Sequence, residues 1–154
     1  MKIAIISSMH HSEKILEIKK QLIQLGHQPI CSKFINNFIG QNDEEKEKIK
    51  LHQKYHLDAI KEFWHDMQDV DAVLALNLDR KGIKNYIGGN TFLELGFAHV
   101  LNKKIFLYNP IPDIHFYETE IKAMKPIIIN QDLNKINPAP CPEGIHNTNT
   151  GTED

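Results

Sequence analysis

The chain has 154 residues, 41% of them hydrophobic, with eight glycines and a formal net charge of −2. That length and composition fit one domain with its own hydrophobic core, and exclude wholesale disorder. The near balance of charge advertises neither nucleic acid nor an anionic membrane surface, and no stretch reaches the apolar length of a membrane span.

The chain opens with KIAIIS, Lys2 to Ser7, a β-branched run that predicts a buried strand. It is too short for a signal peptide and lacks a small-residue cleavage site, so a soluble, cytoplasmic protein is expected. Ser12 to Leu25 carries Ile15, Leu16, Ile18, Leu22 and Leu25 at helical spacing, with Ser12 placed to cap the helix and Gly26 to end it. HQPICS is a second, short strand, and Pro29 within it marks an edge or a strand start.

Phe34 to Asn42 reads as a loop. Asp43 to Met67 reads as one long charged helix whose acidic start suits the positive end of the helix dipole. VDAVLALN, Val70 to Asn77, is a third buried strand, followed by a loop over Leu78 to Gly89 and a helix over Asn90 to Leu101. KKIFLYN is the fourth strand, a helical piece lies within Phe116 to Met124, and PIIIN is the fifth.

From Asn134 prolines, glycines, threonines and asparagines replace the apolar pattern, so residues 1–133 are expected to form the domain and 134–154 a flexible tail. Cys31 and Cys141 are the only cysteines; their separation matches no zinc site and indicates no disulfide.

Strands alternating with helices imply a parallel sheet covered on both faces. The expected fold is α/β, a three-layer doubly wound, flavodoxin-like sheet of five parallel strands in the order 2-1-3-4-5. Ligands in such sheets sit at the carboxyl ends of the strands, beside the switch point between strands one and three. Those ends are Ser7–Ser12, Asn77–Thr91 and Asn109–Asp113, and three candidate stretches lie in the first two.

The first is Gly88-Gly89-Asn90-Thr91 with Glu94. Glycines permit positive φ and close approach of backbone to ligand, and the helix start offers unpaired N–H groups to an anion. Glu94 has two readings. Thr91 and Glu94 fit the Thr-x-x-Glu capping box. Alternatively, a carboxylate in a helix flanked by Phe92, Leu93, Leu95, Phe97 and Ala98 is buried, costly, and raised in pKa as a tuned catalytic group is.

The second loop is Ser7-Ser8-Met9-His10-His11-Ser12, whose hydroxyls suit a phosphate or a ribose, although no glycine of a P-loop is present. The third is Asn77-Leu78-Asp79-Arg80, where Asp79 either orients a sugar or forms a surface turn. Asp66 and Asp71 flank the start of the third strand. His52 and His56 have a metal-capable spacing but no third ligand in the pattern, so a solvated face is expected and no metal site.

At GGNTFLELGFAHVLNKKIFLYN the sequence resembles the nucleoside 2-deoxyribosyltransferase-like family, in a small and mostly uncharacterised subgroup. The resemblance rests on Glu94-Leu95-Gly96-Phe97-Ala98, then Asn102-Lys103-Lys104 and Ile105 to Tyr108. VDAVLALN before this stretch and EIKAMKPIII after it also look like the family.

The resemblance implies cleavage or transfer of the N-glycosidic bond of a (deoxy)nucleoside or nucleoside 5′-monophosphate. Glu94 matches the nucleophile. An aspartate protonates the leaving base, with Asp66, Asp71 and Asp79 as candidates. Ser7, Ser8, His10, Ser12, Asn77, Gly88, Gly89, Asn90 and Thr91 are the candidate substrate contacts, and a protonated His10 or His11 would meet a phosphate. No cofactor is implied. A homo-oligomer is, with helix 43–67 as interface because Phe63 and Trp64 need cover. The alternative from another class is a non-catalytic nucleotide-binding sensor on the same fold.

Overall fold

The computed structural model describes residues 1–137. Five parallel strands, β1 (Lys2–Ile6), β2 (Gln28–Ile30), β3 (Ala72–Ala75), β4 (Lys104–Leu107) and β5 (Ile127–Ile128), form one sheet in the order β2-β1-β3-β4-β5. The helices are α1 (Ser12–Gln24), α2 (Asp43–His56), α3 (Ala59–Asp66), α4 (Gly89–Val100) and α5 (Glu118–Ala123). This is the doubly wound, flavodoxin-like order that the alternation of strands and helices predicts.

Side-chain alternation along the strands builds two cores. Ile3 and Ile5 of β1, Leu74 of β3 and Phe106 of β4 pack with Ile15, Ile18 and Leu22 of α1 on one face. Ala4 and Ile6, Val73 and Ala75, and Ile105 and Leu107 pack with Phe63, Leu95, Ala98 and Ile121 from α3, α4 and α5 on the other. Strands buried on both faces must be apolar throughout, which is why KIAII and AVLA show no polar alternation. Pro29 sits in the edge strand β2, where its missing N–H faces no partner strand.

Three expectations need correction. The predicted helix 43–67 is two helices, broken at Leu57 and Asp58, and Asp58 adopts the left-handed region with φ 48°. Aspartate tolerates that conformation, and charge patterning alone does not reveal it. The break lets α3 turn Phe63 onto the sheet, where it is 6% exposed, so Phe63 needs no cover from a second copy.

The helix expected to be apolar all round is one-sided: Thr91, Glu94, Leu95 and Ala98 are buried, while Leu93 and Val100 are exposed. Packing also continues past the expected boundary at 133, because Leu133 and Ile136 join the α1-side core. The rest of the expected tail, from residue 138, lies outside the described residues, as does Cys141. Among the described residues no helix is long and apolar enough to cross a membrane.

Candidate functional site

The carboxyl ends of β1 and β3 meet at the switch point of the sheet. A cavity of about 50 Å³ lies beside the end of β1, lined there by Ile6 and Ser7. One face of α2 closes it with Lys50, Gln53 and Lys54, and α4 contributes Asn90 and Glu94.

α4 begins earlier than its sequence suggests. Gly88 is the N-cap, and neither Asn90 nor Thr91 caps the helix. Thr91 is 3% exposed inside the first turn, so it and Glu94 do not form a capping box. Gly88 has φ −77°, and the positive φ values of this loop fall on Lys81, Gly82 and Asn85. Gly88 still matters sterically, because a Cβ there would come within 3.2 Å of the Tyr86 ring.

Glu94 is thereby turned inward on the second turn of α4. It is 9% exposed and lines the cavity, and its Oε1 accepts a hydrogen bond from Asn90 Nδ2 at 3.1 Å. Glu94 makes no salt bridge with any described residue. Burial pushes its carboxyl up from 4.5 to about 8, with Lys54 pulling weakly the other way. The group is therefore mostly the neutral acid at pH 7.

Ser7 also lines this cavity, its hydroxyl donating to Leu76 O at 2.7 Å. The other candidates on the first loop face elsewhere. Ser8 Oγ accepts from His10 N at 3.4 Å and caps a short 3-10 turn over Met9–His11. Ser12 is the first residue of α1 rather than its cap, is fully buried, and donates its hydroxyl to Met9 O.

The His10 ring is buried and spans two carboxylates of α2, with Nδ1 3.2 Å from Asp43 and Nε2 3.0 Å from Glu47. Both ring nitrogens are thus committed to α2, and neither is left for a phosphate. His11 lies beside Arg80, and burial lowers its pKa first, with Arg80 adding to the effect.

Asn77 is fully buried and spent on the fold. Its Nδ2 donates to Asn109 O and Pro110 O, each at 2.9 Å, and its Oδ1 accepts from Asn109 N at 2.8 Å. That pair locks the ends of β3 and β4 together and leaves Asn77 no donor for a ligand.

The three candidate aspartates do not reach Glu94. Asp71 stands where β3 begins, at the opposite end of the sheet, and accepts from Lys2 N at 2.7 Å. Asp66 is exposed at the last residue of α3, toward the same end. Asp79 accepts from Asn85 N at 2.8 Å and lines a separate hollow of about 620 Å³ with Lys84 and Asn109. In the larger hollow Gln131 Nε2 donates to Asn109 Oδ1 at 2.9 Å. The smaller one holds the carboxyl displaced by burial, which makes it the candidate site.

Sequence reasoning missed Lys50, Gln53 and Lys54. They sit in a segment read as a solvated charged helix, yet Lys46 and Gln53 are each 5% exposed. Lys46 reaches His10 O at 3.2 Å and Glu13 at 2.7 Å, anchoring α2 to the β1–α1 loop. The i, i+3, i+4 spacing of 50, 53 and 54 was the available signal. Among the described residues no three side chains of metal-ligating type converge.

No protein-family model matches the chain, and no curated protein matches it either.

Proposed function

We propose that this protein cleaves or transfers the N-glycosidic bond of a (deoxy)nucleoside or nucleoside 5′-monophosphate, with Glu94 as the nucleophile. The observation that carries the reading is the buried Glu94 carboxyl, without an ion-pair partner among the described residues, on the wall of a cavity at the carboxyl end of β1. A carboxyl is costly there unless it is used. The likeness of residues 70–110 to the nucleoside 2-deoxyribosyltransferase-like family supplies the bond that it would attack.

In this reading the ionised Glu94 attacks the anomeric carbon as the bond to the base nitrogen breaks, and the bonding pair leaves with the base. The carboxylate faces an oxocarbenium-like transition state, whose developing positive charge favours ionisation of a group that burial otherwise holds neutral. Water or a second base then attacks the same carbon and frees the carboxylate. The cavity is far smaller than the ~300–1,000 Å³ of complete small-molecule sites, so it admits only a substituent of the sugar while the ring and the base stay at the mouth. A second copy of the chain covering that mouth is part of the proposal.

One observation favours the second reading, a nucleotide-binding sensor: none of the three aspartates lines the Glu94 cavity. In the catalytic reading the proton for the leaving base comes from solvent at the mouth.

The test is base release from a panel of deoxynucleosides and their 5′-monophosphates, with and without an acceptor base, for the wild type and Glu94→Ala. Release that needs Glu94 supports the proposal, and dependence on the acceptor separates transferase from hydrolase. Nucleotide binding without release in both proteins would leave the sensor.

A further inference from the structure

One face of α2 contributes three residues to the lining of the Glu94 cavity. Lys50, Gln53 and Lys54 stand at i, i+3 and i+4, and all three line the cavity. Each offers donors. Lys50 is committed, its Nζ 2.6 Å from Glu47, which also pairs with His10. Lys54 is half-buried and makes no ion pair with any described residue. Gln53 is 5% exposed, and its Nε2 is buried without a hydrogen-bond partner.

An unmet buried amide donor costs about 1–3 kcal/mol, so a group of this kind calls for an acceptor. Among the described residues none of the other lining groups is hydrogen bonded to Gln53 Nε2. Asn90 donates to Glu94, Ser7 donates to the backbone, and Glu94 is the one acidic side chain on the wall. The cavity therefore presents an uncommitted ammonium, with an unmet amide buried in the same wall. At about 50 Å³ it has room for a few water-sized groups, the scale of one anionic substituent and not of a whole nucleotide.

We propose that Gln53 and Lys54, braced by Lys50, form an anion subsite for the phosphate of the substrate, and that the Glu94 site therefore selects a phosphorylated nucleoside over the free one. Phosphate oxygens meet both unmet donors at once, and the lysine acts as a point charge. Lys54 then stands between the phosphate and Glu94 and offsets their repulsion when the carboxyl ionises. This inference rests on the N-glycosidic reading of Glu94 for its substrate, but the subsite itself is tested without catalysis.

The experiment uses the full chain and three probes: inorganic phosphate, a deoxynucleoside 5′-monophosphate, and the matching free nucleoside. Binding by calorimetry and kcat/KM for base release are measured for the wild type, Lys54→Met, Lys54→Arg and Gln53→Leu, with a thermal melt of each. The wild type is expected to bind phosphate in competition with the monophosphate. In Lys54→Met the preference for the monophosphate over the nucleoside falls about ten- to hundredfold, the worth of one charge-assisted hydrogen bond. Lys54→Arg restores most of it.

Equal losses for both ligands, or an unchanged preference, would overturn the subsite even if base release proves the chemistry. Phosphate binding that depends on Lys54, with no base release from any substrate, would uphold the subsite and sink the N-glycosidic reading instead.

Discussion

Glu94 should make the fold less stable as pH rises, and Glu94→Gln should remove that dependence. The folded-state pKa is displaced from 4.5 to about 8 by burial. Between those values the folded protein holds a proton that the unfolded chain has released, so stability falls with rising pH. It is fully retained below about pH 4.5 and declines until the folded group itself ionises near pH 8. At about 1.4 kcal/mol per unit, the loss at this site is roughly 3 kcal/mol by pH 7 and approaches about 5 at pH 9.

Glutamine keeps the size of the side chain and the acceptor for Asn90, and it never ionises. Urea unfolding of both proteins at about pH 5, 7 and 9 measures the difference directly. The expected result is near-equal stability at the lowest pH and a widening advantage for Glu94→Gln above it. Parallel curves would show that Glu94 is ionised and compensated in the native state. The claim that the chain carries an unpaired buried carboxyl would then be wrong. A variant that gains stability and loses base release marks a group retained for function at a cost to the fold.

Three further outcomes follow from the same geometry. If Glu94 acts as the nucleophile, kcat/KM for base release rises with pH, is half-maximal near its folded pKa of about 8 and levels off above it; a fall over that range would make the group a general acid instead. Asn77→Ala breaks the buried amide pair that joins β3 to β4 and should cost about 2–4 kcal/mol in chemical denaturation, with the loss shared by Asn109→Ala and far from additive in the double variant. Asp58→Val places a β-branched residue in the left-handed turn between α2 and α3 and should cost about 1–2 kcal/mol, whereas Asp58→Gly should be near neutral, both read from thermal melts.

The sheet was legible because its strands are buried on both faces. KIAII, AVLA and KIFL are apolar runs that, in a chain alternating with helices, point to a parallel sheet, and Pro29, which marked an edge or a strand start, lies in the edge strand β2. What escaped notice were features set by single φ angles and by packing across long separations. Asp58 ends one helix and starts another without glycine or proline to announce it. Ile136 belongs to the core although it sits in a stretch whose composition reads as tail. Asn77 looked like a loop residue offered to a ligand, and only its partner Asn109, thirty-two residues away, shows that its amide is already used.

The site divides along the same line. Glu94 could be singled out because its neighbours in sequence are apolar, and burial of a carboxyl is an unusual local event. The groups that surround it could not, because α2 carries the opposite disguise. Its composition is that of a solvated helix, yet it docks through charge: Lys46 to Glu13 and the carbonyl of His10, and Asp43 and Glu47 to the His10 ring. Those pairs hold α2 at a fixed distance from the end of β1 and set the depth of the cavity between them. A helix fastened in this way through its first turns can leave Gln53 and Lys54, in its last turn, without partners among the described residues, since its attachment does not depend on them.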